Sequence, residues 1–187
     1  MCEKLGADAL GFIFYNKSKR FVSAESASEI IKQLSPFTLK VGVFVNEASE
    51  IINSVSKKVG LNIVQMHGDE TPQQINEINL PVIKAFRISK DFNFNILSNY
   101  KNCHFLFDAY SSEKYGGTGN TFDWDLIPKN VIDKIILSGG ISTSNINAIN
   151  LNIKPYAIDV SSSLEEYPGK KSKKKIIEFF NYLKGTK

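Results

Sequence analysis

Cysteine is nearly absent from the 187-residue sequence, which contains only Cys2 and Cys103. Two lone thiols build no disulfide framework, and a reducing compartment, the cytoplasm, fits. Long apolar runs are missing too. None approaches the roughly 18 residues that a bilayer-spanning helix needs, and the opening Met-Cys-Glu-Lys-Leu-Gly has no apolar signal core. A large surplus of one charge is also lacking. The formal net charge of +4 is too mild to argue for nucleic acid. The densest basic stretch, Lys170, Lys171 and Lys173 to Lys175, has no aromatic residues interleaved for base stacking, so it reads as a solvated face. No linker or low-complexity tract divides the chain. What remains is ordinary for a globular protein, 42% hydrophobic and 22% charged. Residues 1–187 are enough for one domain with a substantial core.

Strand and helix signals alternate along the chain. Continuously apolar runs at 7–15, 39–45, 62–66, 81–86, 103–107, 134–137 and 156–160 read as strands covered on both faces, as in a parallel sheet. Between them lie helix signals. Ser23 is placed as an N-cap, as are Asn46, with Gly60 at the far end, and Thr71-Pro72, with Gln74 completing a capping box. A short helix is expected within 91–99, and another start near Phe122. A further helix carries Ile146 and Ile149, and a last one spans 173–183. Residues 2–6 look like a final helical turn stopped by Gly6.

Alternating β and α elements allow an open doubly wound sheet or a closed barrel. Polar residues cluster at strand ends: Gln65 and His67, Arg87, Asp108, Ser138-Gly139-Gly140, and Asp159 to Ser162. A barrel gathers such ends around one mouth, and no Gly-x-Gly-x-x-Gly follows the first strand. The expectation is an α/β protein, a (β/α)8 TIM barrel. Only seven strands are visible, and the stray turn at 2–6 looks like the end of a first helix. The expected fold therefore lacks its first strand and most of its first helix, about 20–25 residues on the usual length of one unit.

The stretch from Leu106 to Trp124 carries the chemistry. It delivers one carboxylate, Asp108, at a strand end. The glycine-punctuated Tyr115-Gly116-Gly117-Thr118-Gly119 follows. That layout suits proton transfer, although a lone Asp can simply cap a turn. Ser138, Gly139 and Gly140, then Ser161 and Ser162, follow the last two strands. In barrels this is the frequent place for a phosphate, held by backbone amides and hydroxyls.

Matching stretches run the length of the chain: GADALGFIFY with KSKRFVS, VGVFVN, VQMHGDE, VIKAFR, LFDAYSSEKYGGTGNTFDW, ILSGGIST and IDVSSSLEEYPGKK. Together they resemble the phosphoribosylanthranilate isomerase family, (β/α)8 enzymes of tryptophan biosynthesis. The resemblance implies an Amadori rearrangement of N-(5-phosphoribosyl)anthranilate to the 1-(2-carboxyphenylamino)-1-deoxyribulose phosphate, with no cofactor and no metal. It implies Asp108 as general acid, Arg20 on the anthranilate carboxylate, and His67 lining the substrate pocket. The family's base is a Cys in a Lys-Ile-Cys-Gly motif that these residues do not contain. Cys2 does not replace it, because its flanks match the family's first helix, and Cys103 is expected to pack in the core. Asn120 stands where Lys is frequent, and Ser163 where Gly is usual. The expected partner is a small phosphosugar, with no nucleic acid and no membrane, for a monomer or homodimer. The alternative is a truncated or repurposed barrel that binds a phosphosugar without catalysis.

Overall fold

The computed structural model describes residues 1–109 and 121–185. The glycine-rich stretch 115–119 and Asn120 lie outside them. The strands succeed one another in the sheet in chain order, β1 to β7, as a parallel series demands when each helix returns the chain to the next position. The chain divides into two compact units, Met1–Lys84 with Asn99–Cys103, and Ala85–Ser98 with the described residues from His104 onward.

In the first unit, α1 (Cys2–Leu5) ends at Gly6 in the left-handed region, and β1 (Ala9–Ile13) follows. Ser23 caps α2 (Ala24–Ile31) by accepting from the Ser26 amide, as its position predicts. β2 (Leu39–Phe44) and α3 (Ser49–Val59) come next, then β3 (Ile63–Met66). α4 (Pro72–Asn76) opens with the expected capping box between Thr71 and Gln74. β4 (Val82–Ile88) begins here. The pairings are parallel, with Ala9 beside Leu39, Val41 beside Ile63 and Val64 beside Val82. Phe12, Ala27, Phe44, Ile52, Val59, Val64, Met66, Ile75 and Val82 form the buried core.

Two expectations need correction. Asn46 does not cap α3. Its φ is 51°, a region Asn tolerates better than most residues, and its side chain accepts from the Asp69 amide instead. Ala48 occupies the cap position without a side-chain bond. β4 runs on to Ile88, past the expected bound at Phe86, because Phe86 and Ile88 are both buried, and Arg87 stands at its end as expected.

In the second unit, which holds all of β5 (Cys103–Ala109) but its first residue, β5 pairs with β6 (Ile135–Leu137), and β6 with β7 (Ala157–Ile158), all parallel. β7 has two residues where the apolar run suggested five. The segment 94–99 is a 3-10 helix, as are 124–126, 132–134 and 162–164. The helix at α5 (Ile146–Ala148) widens into a π turn over Ile149–Ile153. A small hairpin that the sequence reading did not foresee, β8 (Glu165–Tyr167) with β9 (Lys170–Lys171), precedes α6 (Lys173–Gly185). Phe86, Phe92, Phe94, Phe105 and Phe107 interlock edge to face at centroid distances such as 4.9 Å for Phe92–Phe94 and 5.9 Å for Phe94–Phe107. Among the described residues no helix is long and apolar enough to cross a membrane, and no group of three or more His, Cys, Asp or Glu could hold a metal.

Candidate functional site

In the first unit the candidates are Arg20 and His67. Arg20 is half-buried in a tight turn where its amide donates to the Ser18 hydroxyl at 3.1 Å. Phe21 forms a bridge back to Ile13, so this loop is tied to the end of β1. His67 stands one residue past β3. Along a strand successive side chains alternate faces. Val64 and Met66 enter the core, so Gln65 and His67 take the opposite face, and both are buried. Gln65 Nε2 lies 2.8 Å from His67 Nδ1. An amide N–H donates, so Nδ1 accepts from Gln65 in the tautomer that carries its proton on Nε2.

The turn after β3 is built on charges that the sequence reading passed over. Lys84 and Glu70 are 2% and 1% exposed, and Lys84 Nζ lies 2.8 Å from Glu70 Oε2. Lys84 also donates to the Gly68 carbonyl at 2.7 Å and the Met66 carbonyl at 3.4 Å. Glu70 accepts from the amides of Asn46 and Gly68, each at 2.9 Å to Oε1. A Cβ on Gly68 would collide with the Asn46 side chain and come within 2.7 Å of Glu70 Oε1, so only glycine admits this approach. Tyr100 donates to the Glu70 carbonyl at 3.0 Å. Burial, and then the Glu70 charge, push its phenol pKa up. The one readable signal was a lysine inside the apolar run Val82–Ile88.

Cys103 packs partly buried against the core of this unit. Burial pushes its thiol pKa up despite the opposing pull of Lys84. That suits a packing role and not a thiolate base.

In the second unit Asp108 is the next-to-last residue of β5 and is 4% exposed. Its Oδ1 accepts from the Ala109 amide at 2.8 Å. The Ser138 amide pairs with the Phe107 carbonyl, which brings the turn after β6 alongside. Gly139 has φ +89°, and a Cβ there would lie 2.7 Å from the Ala109 nitrogen and 2.9 Å from Asp108 Oδ1. Gly139→Ala therefore meets both a forbidden backbone region and a clash with the carboxylate. It is expected to lower stability by about 2 kcal/mol in denaturant unfolding. An unchanged midpoint would contradict this packing.

Asn145 locks the same turn, accepting from the Ser142 amide and donating to the Gly140 carbonyl, both at 2.9 Å. Ser163 Oγ donates to the Ile141 carbonyl at 2.6 Å, joining the segment after β7 to the one after β6. The structure thus brings Asp108 beside Gly139, and ties the segment that holds Ser161 and Ser162 to the end of the Ser138–Gly140 turn. Ser163 lies outside the positive-φ region, so serine there causes no backbone strain. Lys171 is exposed, as expected of a solvated charge, and also donates to the Ser161 carbonyl at 2.8 Å and hydroxyl at 3.2 Å.

The profile of the N-(5'phosphoribosyl)anthranilate (PRA) isomerase family matches residues 1–182. N-(5'-phosphoribosyl)anthranilate isomerase of Trichlorobacter lovleyi is 43% identical over 181 residues, 96% of this chain and 88% of that protein. The crystal structure of phosphoribosyl anthranilate isomerase from Thermotoga maritima superposes with a TM-score of 0.88 at 40% identity, covering 98% of this chain and 91% of that one. A phosphoribosyl anthranilate isomerase in complex with reduced 1-(o-carboxyphenylamino)-1-deoxyribulose 5-phosphate matches with a TM-score of 0.85 at 39% identity, covering 98% and 91%.

Proposed function

Because the chain belongs to the N-(5'-phosphoribosyl)anthranilate isomerase family of (β/α)8 enzymes, we propose how its own residues share the work of that reaction. The reaction is the Amadori rearrangement of N-(5-phosphoribosyl)anthranilate in tryptophan biosynthesis. An acid protonates the ribose ring oxygen, and the bond from C1 to that oxygen breaks to leave a Schiff base. A base then removes the C2 proton, and the enolamine becomes the ketose. One proton enters at oxygen and one leaves at carbon, so no redox partner is needed.

Asp108 is the acid. The observation that carries this assignment is its buried carboxyl, fixed by the Ala109 amide and passed closely by Gly139. Ser138, Gly139 and Gly140 with Ser161 and Ser162 take the phosphate, through backbone amides that glycine leaves accessible and hydroxyls that donate. Arg20 pairs with the anthranilate carboxylate, for which a planar guanidinium fork is suited. His67 lines the aromatic end. Residues 1–187 contain no Lys-Ile-Cys-Gly stretch, so removal of the C2 proton is assigned to no residue of this sequence. The same reading treats the chain as a single barrel domain working in the cytoplasm as a monomer or homodimer.

Calorimetry with reduced 1-(o-carboxyphenylamino)-1-deoxyribulose 5-phosphate tests this directly. The chain is expected to bind it, and to bind the dephosphorylated compound about tenfold or more weakly, since a single charge-assisted hydrogen bond contributes about 1.5–3 kcal/mol. No binding of the phosphorylated compound overturns the reading. Equal binding of both removes the phosphate assignment alone.

A further inference from the structure

We propose that Glu70 and Lys84 are positioning residues that set the placement of His67 for substrate binding, a proposal that rests on the isomerase reading above. The two charges take no part in the proton transfers, yet they are among the most buried side chains of the molecule. Burying an ion pair contributes little net stability, because desolvation offsets the attraction, and what such a pair can supply instead is a fixed geometry. Here that geometry is the β3–α4 turn. Lys84 holds the carbonyls of Met66 and Gly68, the residues on either side of His67. Glu70 holds the Gly68 amide with both carboxylate oxygens, at 2.9 and 3.0 Å. It also holds the Asn46 amide, just past the end of β2. His67 itself donates its amide to Phe44, the last residue of β2, at 2.8 Å.

The peptides flanking His67 are thus clamped from the core side of the sheet, while its imidazole meets Gln65 on the other side. The clamp can set the ring's position without touching what the ring touches. Asn46 completes it by accepting from the Asp69 amide at 2.7 Å. Gly68 is required because any side chain would occupy the space of that carboxylate and amide.

Two histidines make the test direct, since His104 is exposed and serves as the internal control. Imidazole resonances and the dissociation constant for reduced 1-(o-carboxyphenylamino)-1-deoxyribulose 5-phosphate are measured in the parent, Lys84→Met, His67→Ala and the double variant. Lys84→Met is expected to shift the His67 resonances and leave those of His104 in place. It is expected to weaken binding about tenfold, because misplacing a binding group by about 1 Å has effects of that order or larger. In the His67→Ala background the same change is expected to matter less than about twofold, the signature of two residues acting as one unit. If Lys84→Met does not fold, Glu70→Gln/Lys84→Met removes both charges without leaving one buried and unpaired, and carries the same expectations.

Unmoved His67 resonances in a folded variant overturn the proposal. So does a binding loss that simply adds to that of His67→Ala. If the parent does not bind the compound, the isomerase reading fails, and the His67 resonances alone then decide the clamp.

Discussion

Asp108→Asn is expected to lower kcat for N-(5-phosphoribosyl)anthranilate by about 10²-fold or more. Asparagine keeps the shape of the side chain and an oxygen that can still accept from the Ala109 amide. What it lacks is an acidic proton to transfer to the ribose ring oxygen. The loss should fall on kcat, with the product analogue bound about as before, because an interaction used only in the transition state has been removed. Near-normal turnover would sink the assignment of Asp108. A large loss of analogue binding would show that the carboxyl supports the pocket and is not the acid.

A chain extended upstream of Met1 by a strand bearing Lys-Ile-Cys-Gly and its helix is expected to turn over about 10²- to 10⁴-fold faster than residues 1–187 alone, the usual worth of a positioned general base. β1 is the first strand in the sheet order and is paired with β2, so a new parallel strand has a row of backbone groups to join. Equal turnover by the two chains would mean that another residue takes the C2 proton. Cys2→Ala should leave both chains unchanged, since Cys2 belongs to the one-turn helix α1. Failure of both chains to turn over, with the analogue still bound, favours a barrel that binds a phosphosugar without catalysis.

The order of strands and helices was legible because apolar runs and caps are local signals. Ser23 and the Thr71–Gln74 box act where their positions place them. Asn46 misled because its best hydrogen bond is to a residue far along the chain, and local spacing cannot weigh that. The hairpin of β8 and β9 was hidden because its strands are too short to show a period. Tyr167-Pro168-Gly169 was nonetheless a plain turn signal. At the site, the Gly and Ser turns were legible as motifs. The collision that makes Gly139 obligatory was not, since it depends on Ala109 and Asp108. The pair Glu70–Lys84 was the largest omission. A lysine in an apolar strand marks a conflict, but only the folded chain shows which carboxylate resolves it.

The chain-order sheet also bears on how the protein is made. Within each unit, a strand finds its partner in the strand that precedes or follows it, as Ala9 finds Leu39 and Phe105 finds Ile135. Among the described residues, no strand pairing within a unit waits for the far end of the polypeptide. As the nascent chain leaves the ribosome, each new strand can add to an edge already formed, and only short loops have to close. Synthesis and folding can then proceed in the same direction, with hydrophobic strand faces exposed for about the time needed to translate the next helix and strand.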